Sequence, residues 1–147
     1  MDIINRLWIN KLNKVFTKRF SSDADNLVEV EKFIMEIVDE FNLSDEIKNN
    51  LSLSVSEAAS NAIVHGNKLD PNKFVDITIT VDSDKIEVVI KDQGNGFDPS
   101  SVPDPTEPEN LLKDSGRGIH IMKTFLEKTH YNFTDNGTEV TLVVMLN

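Results

Sequence analysis

Three short stretches of the chain combine residue types and spacings that can do chemistry. The first is Glu57-Ala58-Ala59-Ser60-Asn61-Ala62-Ile63-Val64-His65-Gly66. Its carboxylate and carboxamide stand four residues apart, so on a helix Glu57 and Asn61 share one stripe and can both face a cleft. The same letters also describe a solvated polar face beside a seam of small residues. The second stretch, Asp92-Gln93-Gly94-Asn95-Gly96-Phe97, follows an apolar run. Its aspartate sits where the chain leaves a strand, and the glycines allow close backbone approach to a ligand; taken alone it is equally an ordinary turn. The third, Ser115-Gly116-Arg117-Gly118-Ile119, opens a helical pattern. Glycines there leave unpaired N–H groups that can meet an anion, with the helix dipole favouring negative charge. A lone Gly-x-Gly is weak evidence. The chain has no Gly-x-x-x-x-Gly-Lys-[Ser/Thr] loop, and the strand-turn-helix context of a dinucleotide fingerprint is missing.

The elements that must position these stretches can be read from periodicity. Ile4, Leu7, Trp8, Leu12, Val15 and Phe16 fit a short amphipathic helix running into something extended near Val15 to Phe20. Leu27, Val30, Phe33, Ile34, Ile37, Val38 and Phe41 repeat at helical spacing after Ser22-x-x-Asp25, which resembles a capping box. Ser44 can cap a second helix, on which Leu51, Val55, Ala58 and Ala62 fall within about 40° of one line at about 100° per residue. His65-Gly66 ends it. Val75, Ile77, Ile79 and Val81 alternate with polar residues, and Ile86 to Ile90 follows a turn at Asp82-Ser83-Asp84, so a strand hairpin delivers Asp92 at its far end. Pro99, Pro103, Pro105 and Pro108 interrupt the stretch from Phe97 to Ser115, which reads as a long loop. Ile119, Met122, Phe125 and Leu126 suggest a further helix, and Thr129 to Phe133, an Asn136-Gly137 turn and Glu139 to Leu146 a second hairpin. This order predicts an α+β two-layer sandwich, a mixed and mostly antiparallel sheet with its helices on one face.

Composition narrows the chemistry further. Within 147 residues, 39% hydrophobic and 27% charged, there is room for one domain with one core. No apolar run approaches the roughly 18 residues of a membrane span, and the first residues lack a signal peptide's pattern, so a cytoplasmic protein that does not enter a membrane is expected. The absence of cysteine removes disulfides, thiolate metal sites and a cysteine nucleophile. With 15 Lys and Arg against 25 Asp and Glu, the net charge of −10 repels a phosphate backbone, and nucleic acid is not an expected partner.

Taken together and in order, helix Glu/Asn, strand-end Asp-x-Gly-x-Gly, long loop and Gly-x-Gly helix start are far more specific than any one of them. The combination resembles the ATP-binding superfamily shared by gyrase, the heat-shock chaperone of that group, histidine kinases and the mismatch-repair protein. Within it, Glu57-Ala58-x-x-Asn61-Ala62-x-x-His65-Gly66 is similar to the small bacterial serine kinases that act as anti-sigma factors. The resemblance covers roughly Phe16 to Leu146, so residues 1–15 are expected to be an N-terminal extension and 16–147 the histidine-kinase-like ATP-binding domain. Ile3 to Leu12 is longer than the family pattern needs before its first strand.

The resemblance implies ATP and Mg²⁺ as cofactors and gives roles to individual residues. Asn61 matches the asparagine whose side-chain oxygen helps hold Mg²⁺, a hard cation suited to oxygen ligands. Asp92 matches the aspartate that accepts from the adenine amino group, where guanine carries a carbonyl. Gly94 and Gly96 let the loop approach the base, Gly116 and Gly118 offer donors to the phosphates, and Thr138 is an adenine-side partner. Glu57 matches the general base for a serine hydroxyl or water. Arg117 is placed to meet the γ-phosphate or a partner, or equally to lie in solvent. His65 reads as a cap or packed side chain, and Lys68, Lys123, Asp104, Glu107 and Glu109 as surface. The segment from Asp98 to Asp114 is expected to be an ATP lid.

The leading expectation is an ATP-dependent protein-serine kinase that also sequesters a sigma factor and phosphorylates that factor's antagonist, working as a homodimer through the apolar residues of its N-terminal segment. Two rivals stay open: a nucleotide-gated binding module without catalysis, and a stand-alone ATPase or histidine-kinase-type catalytic domain. Glu57 favours the kinase, since neither adenine nor Mg²⁺ needs a carboxylate there. His65, His120 and His130 lack the acidic neighbour that phosphoaccepting histidines usually carry, so the phosphate is expected on another protein.

Overall fold

A computed structural model describes residues 13–94 and 128–146. They form β1 (Lys14–Ser21), α1 (Asn26–Val38), α2 (Asp45–Asn61) with a π-helical turn at Ala62–Gly66, β2 (Phe74–Val81), β3 (Lys85–Lys91), β4 (Lys128–Thr134) and β5 (Gly137–Met145). The strands make one five-stranded sheet in the order β1-β2-β3-β5-β4, and every neighbouring pair is antiparallel. The expected α+β layering is what the chain adopts. The N-terminal helix, the loop from Phe97 to Ser115 with its lid, and the helix through Leu126 lie outside the described residues.

Alternation decides which face of the sheet is covered. Antiparallel register aligns Ile77 with Ile90 and Ile90 with Val140, and likewise Ile79 with Val88 and Leu142, and Val81 with Ile86 and Val144. These three apolar rows are buried, and the helices lie over them. From α1 come Val30, Ile34, Ile37 and Val38, and from α2 come Leu51, Val55, Ala58 and Ala59. The residues between the rows, such as Thr78, Val89 and Thr141, share the other face. Among the described residues no helix is long and apolar enough to cross a membrane.

The helix starts differ from one another for physical reasons. Ser44 caps α2 as its position suggests, its Oγ accepting from the Ile47 amide at 3.2 Å. The capping box expected at Ser22 is not formed. Asp25 precedes α1 with helical backbone angles and no side-chain cap. The Ser22 hydroxyl instead donates to the Lys73 carbonyl at 2.7 Å and accepts from Asn67 Nδ2 at 2.7 Å. A distant pair of partners has outcompeted the local cap.

The second hairpin also closes one residue earlier than its Asn-Gly letters suggest. Thr134 pairs with Gly137, so Asp135 and Asn136 make the turn and Gly137 begins β5 at φ +144°. Asp82 shapes the β2–β3 turn by accepting from the Asp84 and Lys85 amides at 2.8 and 2.9 Å.

Candidate functional site

The cleft forms where α2 runs out over the end of the sheet. Ala58 and Ala62 carry almost no side chain, so this part of the helix comes close to Ile90 and Val140, and the four residues form the apolar part of the cleft's lining. Asn61, Asp92, Thr138 and Tyr131 supply its polar points.

Asp92 is the best-defined group in it. β3 ends at Lys91, and the next residue turns out of the sheet while still pairing with β5: its N–H donates to the Thr138 carbonyl at 2.9 Å. Its Oδ1 accepts from the Thr138 amide at 2.9 Å and the Gly94 amide at 3.0 Å. Only 2% of the residue is exposed. Burial pushes the carboxyl above the ordinary carboxylate range, and the two amides together with the charge of Lys73 partly oppose that. With Oδ1 engaged, Oδ2 is the oxygen available to a ligand donor.

Three glycines close in on this aspartate. A Cβ on Gly66 would strike Asp92 Oδ2, one on Gly94 would strike the Gly66 carbonyl oxygen, and one on Gly137 would strike the Asp92 carbonyl oxygen. Gly66 comes from the π-turn, Gly94 from the loop after β3 and Gly137 from the start of β5, so three separate parts of the chain meet at one side chain. Gly94→Ala is expected to cost about 1–3 kcal/mol as an overpacked site, because its new methyl meets backbone that cannot swing aside. The denaturant midpoint, read at unchanged slope, checks this.

Across the cleft the balance of hydrogen bonds is incomplete. Asn61 is 1% exposed and Thr138 3%, yet Asn61 Oδ1 and Nδ2 and Thr138 Oγ1 have no hydrogen-bond partner among the described residues. An unsatisfied buried polar group costs about 1–3 kcal/mol, and three such atoms converging on one space are what a polar ligand would complete. An amide oxygen is also a suitable hard donor for Mg²⁺. No group of three or more His, Cys, Asp or Glu that could hold a metal occurs among the described residues. A cation here would find Asn61 Oδ1 as a ligand, and the described residues offer it no cage of carboxylates and histidines.

Glu57 lies one turn before Asn61 on α2 and is half-buried, outside the residues that wall the cleft. Its charge is felt by Tyr131, whose phenol is pushed up to about 12, first by burial and then by the Glu57 carboxylate. Of the residues singled out by sequence, Asn61, Asp92 and Thr138 line one cleft, Gly94 packs behind Asp92, and Glu57 stands beside it. Gly96, Gly116, Arg117 and Gly118 lie outside the described residues. His65 and Lys68 are exposed on and after the π-turn.

Sequence reasoning passed over Tyr131 and Asn67. Tyr131 is the helix-side residue of β4 directly opposite Val140, a position that register alone identifies once the hairpin is paired. Asn67 follows His65-Gly66 with no local signal to mark it, and it is fully buried.

Comparison with known proteins gives this arrangement a context. Residues 20–144 match the family model described as the histidine kinase-like ATPase domain. The anti-sigma F factor of Clostridium perfringens (strain ATCC 13124) is 29% identical over 143 residues, covering 94% of this chain and 98% of that protein. The serine-protein kinase RsbW of Bacillus licheniformis (strain ATCC 14580) is 34% identical over 110 residues, covering 70% of this chain and 67% of that one. Among solved structures, the histidine kinase domain of the Erythrobacter litoralis EL346 blue-light activated histidine kinase superposes with a TM-score of 0.55 at 19% identity. The match covers 83% of this chain and 60% of the kinase domain. The mycobacterial sensor histidine kinase MprB gives 0.52 at 17% identity, covering 91% of this chain and 97% of that one. At these identities the two structures speak to the fold alone.

Proposed function

Because the chain belongs to the histidine kinase-like ATPase family, alongside anti-sigma F factors and RsbW-type serine kinases, we propose that it is an ATP- and Mg²⁺-dependent serine-protein kinase that works as an anti-sigma factor. The observation that carries the reading is the cleft itself: a buried carboxylate held by backbone amides, facing a carboxamide and a hydroxyl that lack partners, with Glu57 one helical turn away.

In this reading Asp92 Oδ2 accepts from the exocyclic amino group of adenine, and the apolar walls from Ala58, Ala62, Ile90 and Val140 pack against the base. Guanine would set a carbonyl oxygen against the same carboxylate, which selects against GTP. Thr138 Oγ1 completes the polar edge of the base. Asn61 would hold Mg²⁺ through its side-chain oxygen, and the ion would supply charge neutralisation for the phosphates. Gly96, Gly116, Arg117 and Gly118 are proposed to serve the base and phosphates as the family motif implies. Glu57 takes the proton of a substrate serine as that oxygen forms its bond to the γ-phosphorus and the bond from phosphorus to the ADP oxygen breaks.

The proposed partners are a sigma factor, bound and withheld, and its antagonist, which receives the phosphate. A homodimer in the cytoplasm completes the proposal. The acidic surface implied by the net charge of −10 suits a basic protein partner better than nucleic acid.

Incubation of the full chain with γ-labelled ATP, Mg²⁺ and candidate antagonist proteins from the same organism tests this. Acid-stable, base-labile phosphate on the small partner is expected, and none on the chain. Acid-labile phosphate on the chain itself would instead favour a histidine-kinase reading. No transfer alongside ATP-dependent partner binding would leave a nucleotide-gated binder.

A further inference from the structure

Asp92 is oriented by groups that are nearly all backbone: the Thr138 amide and carbonyl, and the Gly94 amide. One side chain joins them. Asn67 Oδ1 accepts from the Gln93 N–H at 2.7 Å, so it grips the peptide unit that leaves Asp92. The same carboxamide donates through Nδ2 to Ser22 Oγ at 2.7 Å and to the Phe74 carbonyl at 3.0 Å. Asn67 is 0% exposed, and its own N–H closes the π-turn on the Ala62 carbonyl at 2.7 Å.

These bonds tie four parts of the chain to the aspartate: Ser22 just after β1, the end of α2 through the π-turn, the start of β2 at Phe74, and the loop after β3. Gln93 returns the connection, its Oε1 accepting from the Phe74 N–H at 2.6 Å. Both polar groups of the Phe74 backbone are thereby fixed by side chains from the Asp92 side. The residues just after Asn67 are held in an uncommon conformation, with Lys68 at φ +54° and Leu69 at φ +58°. Consecutive left-handed residues other than glycine persist only where their surroundings over-determine them. Burial with every polar atom paired makes Asn67 the group able to do so.

We propose that Asn67 is a positioning residue for base recognition: it sets the direction of the Asp92 carboxylate by fixing the Gln93 peptide, while its amide donors anchor that peptide to the first two strands. The inference rests on the reading of Asp92 as the group that recognises adenine. A purely structural Asn67 would lower stability without changing which base is preferred. A positioning Asn67 changes the preference, and does so only while Asp92 can act.

The test uses the full chain with ADP and GDP titrated by calorimetry in Mg²⁺, beside a melting curve for each variant. Loss of one neutral hydrogen bond corresponds to about two- to twelvefold in affinity. Asn67→Ala is expected to weaken ADP by that factor and leave GDP unchanged, so that the ADP:GDP ratio falls equally. In an Asp92→Asn background the further loss of ADP affinity should vanish. Ser22→Ala removes one anchor but not the Gln93 contact, and should lower the melting midpoint while keeping the ratio. Where Asn67→Ala does not fold, Asn67→Ser, with its shorter hydroxyl, carries the same expectation at smaller cavity cost. An unchanged ratio in the Asn67 variants, or a full additive loss in the Asp92→Asn background, overturns the proposal. Failure of the wild-type chain to bind ADP would instead overturn the nucleotide reading beneath it.

Discussion

Glu57→Gln is expected to bind ATP nearly as the wild-type chain does and to transfer phosphate about 10²–10⁴ times more slowly. The separation follows from where the residue sits. Glu57 shares a stripe with Asn61 on α2 but does not wall the cleft that holds Asp92 and Thr138. Glutamine keeps the shape and removes the proton acceptor, so the loss falls on the step in which a serine hydroxyl is deprotonated and not on ground-state binding. Single-turnover transfer measured beside calorimetry checks both halves. A variant that lost ATP binding and transfer together would show Glu57 to be part of the binding surface.

Asp92→Asn is expected to weaken ATP by about 10- to 150-fold, the range for losing a hydrogen bond to a charged group, and to erode the preference over GTP. The substitution also puts an NH₂ where the carboxylate accepts from backbone amides or, in the proposed reading, from the base. The pH dependence gives an independent sign. Burial raises the Asp92 pKa, so lowering the pH protonates this carboxyl before an ordinary one and removes the acceptor. ATP affinity should therefore fall on the acid side at a higher pH than for an exposed aspartate, and the uncharged variant should lose that limb. The linked effect on folding runs the other way: a raised folded-state pKa contributes stability that is present below the unfolded value and lost as pH rises through the folded one. Calorimetric titrations over a pH series, with denaturation at the same values, check both directions.

Local repetition makes much of this legible in the sequence alone. Val75, Ile77, Ile79 and Val81 announce a strand with one buried face, and all four are buried. Ser44 announces a helix start because a cap needs only residues three positions away. Asp92 was locatable as the residue delivered by the end of a strand. What escaped is set by partners far away in sequence. Ser22 looks like a cap, but its hydroxyl bonds to Asn67, 45 residues on. The Asn136-Gly137 letters suggest the centre of a turn, yet the space beside the Asp92 carbonyl requires a glycine at the first position of β5, which moves the turn back by one residue. Tyr131 and Asn67 carry no motif at all. Their importance comes from register in one case and from burial with three satisfied hydrogen bonds in the other.

The pairing of Asp92 with Thr138 has a consequence for the order in which the protein assembles. β1, α1, α2, β2 and β3 follow one another in the first part of the chain, and β2 meets β3 across a short turn. The carboxylate's ligand on β5 is 46 residues further along. Closing a loop of that size costs roughly 2 kcal/mol more chain entropy than closing a short hairpin. Topology therefore makes docking of the β4–β5 hairpin the slow event and the site its product. Until that hairpin docks, the first three strands with α1 and α2 can bury much of the core, but the cleft lacks the wall that Tyr131, Thr138 and Val140 supply. A ligand bound in this cleft then reports on docking of the hairpin more sharply than helix content does.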